Sequence, residues 1–423
     1  MTGIVALLAS HAFAEDAVLT LDDALRIAHE SHPLIRQGVA NVGVMESRVE
    51  QARGVLLPQL GASATYSRSH GAFASVGTSS ATPSSSGTSN QFNFGLSATQ
   101  TLWDFGAIER LRAAGFTREA QAATQRATEL QVALGVRRAY FAAAAQVALV
   151  KVAEETLKND TLHLEQVQAM VKVGQKTAID FAQAQTLTAN GQLGLINAKN
   201  GLHLALAALV QAVGTLEPRA FAVEDSQLGP IANESDELAT LVKLAIDHRP
   251  ELASLRHQQE SVVASTLAVT GGYLPTLGAN GSVSEGGTAI DSLGPNWRFG
   301  ASLSWNLFNG GQTTGQLHEA QRQADLLKAQ LDNELLQVRV DVEQARATIE
   351  DGRSAVEAAT VAEASAKAQL SLADGRLRAG VGSVLELSDA QVLATNAAAQ
   401  LVQTRLTLST ARAQLLAALG VNP

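Results

Sequence analysis

The sequence predicts a mainly α-helical protein that carries two β-hairpins and consists of one unit repeated twice. Three observations predict this fold class. A stretch in which apolar and polar residues alternate occurs in two copies, and such alternation is typical of a β-strand with two different faces. Apolar residues return every three or four positions over two tracts of about sixty residues, which is typical of helix. Segments of both kinds follow the same order in each half of the 423-residue chain.

The clearest strand is predicted at residues 297–307, within the run WRFGASLSWNLFNGG. One face carries Trp297, Phe299, Ala301, Leu303, Trp305 and Leu307, and the other carries Arg298, Gly300, Ser302, Ser304 and Asn306. A strand of this length can cross the apolar band of about 25 Å of an outer-membrane barrel, and tryptophans near its ends suit the interfacial aromatic girdles. For this strand alone a soluble β-sandwich would be the better interpretation, but the strand has a counterpart.

The counterpart lies roughly two hundred residues earlier in the chain, and the match extends in both directions. Phe94 corresponds to Phe299, the run LPQLGA from residue 57 corresponds to LPTLGA from residue 274, and Val173-Gly174 corresponds to Ala379-Gly380. This period is too long for a solenoid repeat, so it indicates an internal duplication with pseudo-twofold symmetry. The number of residues between corresponding positions of the two copies decreases along the chain. The first copy therefore has an extra insertion between its two strands.

The elements of the first repeat, residues 15–214, follow from this periodicity. A signal peptide is predicted over residues 1–14, because an apolar run ends in the small-x-small pattern Ala12-Phe13-Ala14. No basic residue precedes that run, and a buried apolar N-terminus is the alternative. The repeat then contains a helix from residue 21 to about 57, strands at about 60–69 and 92–102 joined by an exposed Ser/Gly-rich loop, a long helix at 108–173 and a return helix at 178–213.

The second repeat, residues 238–423, has the same order after an irregular connector at 215–237. It is predicted to contain a helix at 238–270, strands at about 277–285 and 297–307, a long helix at 313–379 and a return helix at 383–419. A helix of sixty-odd residues is about 100 Å long and needs neighbours along its whole length. Two long and four half-length helices make a cylinder of even height if the shorter ones stack end to end.

Four strands per chain predict an oligomer. Four strands cannot close a barrel, and lipid does not satisfy the backbone groups of an open sheet edge. Several copies must therefore share one barrel, and arithmetic alone allows eight, twelve or sixteen strands.

Composition excludes several classes of protein. The chain has no cysteine, which removes thiol catalysis and thiolate metal sites, and its net charge of −9 argues against a nucleic-acid partner. The sequence has no phosphate-binding loop, HExxH motif or nucleophile motif, so an enzyme is not expected, nor is a cofactor. The nine histidines are scattered and are interpreted as solvated residues, with no metal site expected.

The chain resembles the TolC family of outer-membrane efflux proteins over nearly its whole mature length. The resemblance is carried by ALRIAHESHPLI near the start, LPQLG and LPTLG before the strands, TLWDFG and NLFNGG after them, and MVKVG and RLRAG at the helical turns. It implies a homotrimer with a twelve-stranded barrel in the outer membrane of a Gram-negative bacterium and an α-helical barrel across the periplasm. It also implies a passive channel of a tripartite efflux or type I secretion system, coupled through a periplasmic adaptor to an inner-membrane pump. A structural coiled-coil or adhesin-like envelope protein is the alternative.

Glu386 and Asp389 are the candidate residues of an acidic channel entrance. Their spacing of three places them on one helix face, and threefold symmetry would gather six carboxylates at one level. Such a ring attracts cations. The resemblance matches both to the family's acidic entrance ring, with Glu386 in place of an aspartate. Two solvated acids on a helix surface are the alternative.

The two helical turns supply further candidates. The resemblance matches Asp180 to an aspartate that holds the entrance shut through an arginine of the neighbouring turn, but Gly382 stands at that arginine position. Lys176 or Arg378 could replace it. The turn residues expected to contact the adaptor are Val173, Gly174, Ala379 and Gly380, and the alternative is that the glycines simply end their helices. The membrane aromatic belt is predicted at Phe92, Phe94, Trp103, Trp297, Phe299 and Trp305.

Overall fold

The computed structural model describes residues 19–72, 86–215, 223 and 227–421. The predicted signal peptide, the middle of the loop between the first two strands and parts of the connector lie outside these residues. The predicted fold class is confirmed, since the chain is mainly helical and contributes four strands to one sheet.

The helices in the first half are α1 (Leu21–Ser31), α2 (Pro33–Gly54), α3 (Phe105–Lys172) and α4 (Ala178–Val213), and those in the second half are α5 (Leu238–His248), α6 (Pro250–Thr270), α7 (Gln312–Arg378) and α8 (Val384–Ala418). The strands are β1 (Gln59–Ala72), β2 (Ser86–Trp103), β3 (Thr276–Gly287) and β4 (Gly294–Ser304). Short 3-10 turns lie at Gly271–Tyr273 and Ile290–Ser292. The first hairpin is longer than expected, because β1 and β2 extend into the predicted loop.

Each repeat opens with two helices where the sequence predicted one. His32 and Arg249, the residues before Pro33 and Pro250, have extended backbone with ψ of 128° and 120°. The ring of a proline clashes with a helical conformation of the residue before it, which ends α1 and α5. The helices predicted at 21–57 and 238–270 are each interrupted at the proline, so the prediction of a single helix is wrong at both positions.

In both repeats the glycine that follows the return helix packs against the residues at the break between the first two helices. Gly214 follows α4 with φ of 78°, and a Cβ there would lie 2.7 Å from His32 Cδ2. Gly420 follows α8 with φ of 72°, and a Cβ there would lie 2.8 Å from the His248 carbonyl carbon. Both positions require glycine for backbone conformation and for space. The duplication is therefore visible in the packing as well as in the sequence.

The chain forms two compact units, each drawn from both repeats. The first comprises residues 1–39, 123–252 and 333–423, and the second comprises residues 40–122 and 253–332. The core of the first unit is rich in alanine and valine, with Val136, Ala143 and Leu209 completely buried. Small side chains let long helices approach closely along their length, which suits the low aromatic content of 4%.

A buried ion cluster holds the connector against α7 and α8 in the first unit. The Glu234 side chain is 2% exposed, and its carboxylate accepts from Arg353 Nη2 at 2.8 Å, Arg412 Nε at 3.2 Å and the Ile231 N–H at 3.0 Å. Arg412 Nη1 also donates to the Leu228 carbonyl at 2.6 Å. With these partners the carboxylate fixes residues 227–237, the described end of the connector, which contain no helix or strand.

The sheet forms the second unit together with its flanking helical segments. Its strand order is β1-β2-β3-β4, with every neighbouring pair antiparallel. Among the described residues β1 and β4 are therefore the edge strands, and each has one side without a strand partner. The register is regular apart from a β-bulge between Thr101 and Trp103.

Replacing Glu234 with glutamine tests the connector cluster. We expect the free energy of unfolding to fall by about 3 kcal/mol, because the change leaves the buried guanidinium of Arg412 without its counter-charge. The measurement is the thermal unfolding midpoint in detergent, followed by circular dichroism. The matched control is Glu350→Gln on α7, whose partner Arg346 lies 3.1 Å away in an exposed pair worth less than about 1 kcal/mol. Equal midpoints for the two variants would contradict the account.

Candidate functional site

The strand register collects the apolar side chains of the sheet on one face. One row of this face crosses all four strands. It consists of Ala62, Leu96, Val283 and Trp297, and each residue is the cross-strand partner of the next. Several large members of this face are strongly exposed, including Leu60, Leu96, Trp297, Phe299 and Leu303. An apolar surface of this size requires a cover of lipid or protein.

Two of the predicted belt tryptophans are positioned by irregular structure. Strict alternation would place Trp103 on the polar face beside Thr101, but the bulge at Leu102 pairs Trp103 with Leu277 on the apolar face. Trp305 lies just beyond the end of β4, and its indole N–H donates to the Tyr273 carbonyl at 3.0 Å. The prediction of strand through residue 307 was therefore wrong, because the chain leaves the ladder at Ser304.

The remaining belt candidates lie where the sequence placed them along the strands. Phe92 and Phe94 are on β2, and Trp297 and Phe299 are on β4. The rings of Trp297 and Phe299 are 5.9 Å apart, and Phe92 stacks at 4.8 Å on Tyr66 of β1. All five rings lie on the apolar face of the sheet.

The opposite face of the sheet is polar and made of small side chains. In the row beneath the apolar one, Gly61, Ser97, Ser282 and Arg298 pair across the four strands. The other positions of this face hold glycine, serine, threonine, asparagine and glutamine. One sheet therefore separates an apolar surface from a surface suited to water.

The two helical turns in the first unit have the same backbone. Gly174 and Gly380 have φ of 79° and 77°, and each N–H returns to a carbonyl of the preceding helix, that of Val171 or Leu377, at 3.0 Å. Positive φ strongly favours glycine, so these residues do end their helices in the left-handed conformation. Val173 is 69% exposed beside its glycine, and Ala379 is exposed beside the other. The predicted adaptor contacts are therefore accessible in the chain.

Asp180 closes a capping box at the start of α4. Its carboxylate accepts from the Thr177 N–H at 2.9 Å and the Thr177 hydroxyl at 2.8 Å, while Thr177 Oγ1 accepts from the Asp180 N–H at 3.3 Å. Hydrogen bonds from the Thr177 backbone and side chain hold the pKa of Asp180 below its usual range. The side chain expected to act in gating is thus occupied at its own helix terminus.

Lys176 connects the two turns within the chain. Its Nζ lies 3.5 Å from the Gly382 carbonyl oxygen, at the limit of a hydrogen bond. Arg378, the other proposed substitute for the family arginine, pairs instead with Asp374 on its own helix at 2.7 Å. The structure thus brings Lys176 and Gly382 together and leaves Arg378 apart from that contact.

Glu386 and Asp389 lie in the first two turns of α8, and both are exposed. The Glu386 N–H donates to Ser383 Oγ at 3.0 Å, which caps the helix, and its carboxylate pairs with Arg376 Nε at 3.1 Å. Asp389 has no ion pair among the described residues. Arg376, which the sequence pattern did not indicate, supplies a positive charge beside one of the two ring candidates.

Two buried titratable residues on α3 were also missed. Asp160 and His163 are each 5% exposed, and their spacing of three places them on one face of the helix. Asp160 packs against α4, where a Cβ on Gly191 would lie 2.5 Å from its Oδ2. Burial raises the pKa of Asp160 to about 6, and burial lowers the pKa of His163. Gly191, within a long helix, was the one sequence signal of this close approach.

One histidine has carboxylate neighbours that the sequence analysis did not foresee. In the second unit His257 Nδ1 lies 2.9 Å from Glu260 Oε2 and 3.6 Å from Glu119 Oε2. These three side chains could hold a divalent cation, and the same distances suit an ion pair with a protonated imidazole. His257 is therefore not simply solvated.

Comparison with known proteins identifies the family. Residues 24–215 and 241–421 match the family model described as Outer membrane efflux protein. The chain belongs to the outer membrane efflux protein family. This family consists of channels and not of enzymes, and membership favours the channel over the coiled-coil scaffold that the sequence alone left open.

Individual relatives of this outer membrane efflux protein agree with that assignment. It is 24% identical to Outer membrane protein TolC of Salmonella enteritidis over 413 residues, covering 93% of this chain and 80% of the relative. It is 25% identical to the solvent efflux pump outer membrane protein SrpC of Pseudomonas putida over 343 residues, covering 78% of this chain and 71% of the relative. The relatives are named as outer-membrane proteins, and this efflux protein is likewise an outer-membrane channel.

Solved structures share the fold of this outer membrane efflux protein. The outer membrane protein VceC of Vibrio cholerae superposes with a TM-score of 0.81 at 20% identity, covering 95% of this chain and 96% of the other. The open MtrE channel of Neisseria gonorrhoeae superposes with a TM-score of 0.80 at 23% identity, covering 95% of this chain and 89% of the other. The arrangement of helices and strands is therefore conserved despite low sequence identity.

Replacing Asp160 with asparagine tests the buried carboxylate. A folded-state pKa near 6 means that the native protein binds the proton more tightly than the unfolded chain, so the contribution of Asp160 to stability is lost as pH rises through 6. We expect Asp160→Asn to raise the free energy of unfolding by about 2 kcal/mol at pH 8 and by less than half of that at pH 4.5, where the native carboxyl is still protonated.

The measurement is the difference in thermal midpoint between variant and native protein at the two pH values. Asp332→Asn, at an exposed aspartate of α7, is the control, and its thermal midpoint should match that of the native protein. A variant at position 160 that is destabilised equally at both pH values would contradict the prediction.

Proposed function

We propose that three copies of this chain close one twelve-stranded β-barrel in the outer membrane, and that the barrel and the periplasmic helices form a passive channel from periplasm to exterior. The four-stranded sheet carries the proposal. Its apolar face is exposed, and no strand of the described part of the chain pairs with the outer edges of β1 and β4. Single-chain barrels begin at eight strands, so neighbouring copies must supply the missing pairs.

The surface of α4 supports the same assembly. Among the described residues it is the single helix long and apolar enough to cross a membrane by length and composition. Ile179, Leu193, Ile196 and Leu204 are each more than half exposed on it. In a periplasmic helix such side chains call for a protein neighbour, and an adjacent copy of the chain provides one along the full length of α4.

The partners of the channel follow from what the chain lacks and what its turns present. The sequence has no nucleotide-binding loop, so an inner-membrane pump must supply the energy for transport. A periplasmic adaptor would contact the turns at Val173, Gly174, Ala379 and Gly380, where exposed residues flank rigid left-handed glycines. Relatives named for solvent and antibiotic efflux pumps support a tripartite efflux system, and a type I secretion system would use the same channel.

The entrance of the channel is proposed to lie at these turns. Glu386 and Asp389 share one face at the start of α8, so three copies would bring six carboxylates to one level. Arg376 offsets part of the charge at Glu386, which leaves Asp389 as the stronger contributor. The contact of Lys176 with the Gly382 carbonyl takes the place of the family arginine in holding the two turns together, while Asp180 stiffens the start of α4.

Planar-bilayer recording of the purified protein tests the channel and its acidic entrance together. We expect discrete conductance steps, and block by a trivalent cation added on the periplasmic side. Neutralising the ring with Glu386→Gln and Asp389→Asn should weaken that block at least about tenfold, because up to six carboxylates per trimer are lost.

The matched control removes the same charge elsewhere, through Asp22→Asn and Glu30→Gln on α1. The trivalent cation should block the conductance of this control variant as strongly as that of the native protein. Native conductance with unchanged block in the ring variant would refute the entrance assignment, and the absence of any conductance step would refute the channel itself.

A further inference from the structure

Arg298 is the one charged residue on the polar face of the four described strands. The register assigns each strand residue to a face, and the polar face otherwise carries glycine, serine, threonine, asparagine and glutamine. The other charged strand residues, Arg68 on β1 and Glu285 on β3, belong to the apolar face together with Tyr66 and Val283. A guanidinium is therefore placed where every other side chain of the face is neutral.

The surroundings of Arg298 leave its charge uncompensated. Its direct cross-strand partner is Ser282, and its same-face neighbours on β4 are Asn296 and Gly300. Its side chain is exposed and forms no ion pair among the described residues. A guanidinium stays protonated at any physiological pH, so the charge is permanent.

Closing the barrel with neighbouring copies does not change this balance. In the proposed trimer, on which this inference rests, the free edge of β4 pairs with the free edge of β1 from the next copy. The polar face of β1 consists of Gln59, Gly61, Ser63, Thr65, Ser67, Ser69 and Gly71. None of these is acidic, so the neighbouring strand brings no counter-charge to the guanidinium.

We infer that three copies of Arg298 form a ring of positive charge on the lumen wall of the β-barrel and favour anionic solutes over cationic ones at the exit of the channel. Rings of charged side chains set ion preference in pores, and arginine suits carboxylate, sulfonate and phosphate groups because its donors form a planar fork. Cargo bearing such a group would gain from this ring after passing the acidic entrance.

The effect depends on salt in a defined way. Fields of exposed charges extend about 30 Å at 0.01 M ionic strength but only about 3 Å at 1 M. A ring on the wall of a wide lumen therefore acts across the pore in dilute salt and only near the wall in concentrated salt. The preference for anions should accordingly fade as the salt concentration rises.

The test is the reversal potential of single channels of the full-length protein under a potassium chloride gradient in dilute salt. Measuring it with Glu386→Gln and Asp389→Asn present isolates the exit from the acidic entrance. In that background we expect Arg298→Gln to lower the chloride-to-potassium permeability ratio at least about twofold, and Arg298→Lys to retain it. The difference between Arg298→Gln and the other two versions should vanish in 1 M salt.

Arg68→Gln is the matched control, because it removes the same charge from the apolar face of the same sheet. It should leave the reversal potential unchanged. Channels of Arg298→Gln with the unaltered permeability ratio would overturn the inference while leaving the channel proposal intact. A protein that forms no channel in any version would overturn both.

Discussion

The structure depends on one constraint: in lipid, the backbone hydrogen-bonding groups of a sheet must all be paired within protein. A single chain offers four strands, two open edges and an exposed apolar face that includes Leu60, Trp297 and Phe299. Open edges are not tolerated in lipid, and the apolar face needs a cover. In the proposed trimer, neighbouring copies pair the edges and lipid covers the apolar face. The uncovered apolar side chains of α4 fit the same explanation, with protein as the cover in place of lipid.

The duplication repeats the backbone more faithfully than the polar chemistry. The prolines that break the first helices, the left-handed glycines at the turns and the glycines that end the return helices occur in both copies. The side chains on this framework differ between the copies. Asp180 completes a capping box, whereas Glu386 at the equivalent position reaches Arg376. Trp103 remains in its strand, whereas its counterpart Phe308 lies beyond the end of β4. The two copies thus share one backbone framework but carry different polar side chains on it.

Much of this fold could be predicted from the sequence because it is periodic. Alternation over residues 297–303 and helical spacing along α3 and α7 are local signals, and the repeat doubled each of them. Element boundaries that depend on one residue, such as a bulge or a proline, were harder to predict. The bulge at Leu102 inverts the face of Trp103, which no alternation rule foresees. The break before Pro33 was a recognisable signal that the helical periodicity around it concealed.

Contacts between distant helices could not be predicted from one sequence. Arg376 meets Glu386 across a turn, Asp160 is buried by the approach of Gly191, and His257 meets Glu119 from another helix. Each depends on how two helices are aligned, and the alignment is set by the packing of many small side chains together. Arg298 is an intermediate case, since its face could be assigned from alternation but the absence of a counter-charge required the register of all four strands.

The most direct test of the shared barrel is the mass of the protein extracted from outer membranes in detergent, measured by light scattering before and after boiling. The account predicts a species of three chains that heat converts to single chains, because the barrel exists only while neighbouring β1 and β4 strands are paired. A species of one chain before boiling would contradict it, since four strands would then have to remain stable with both edges open.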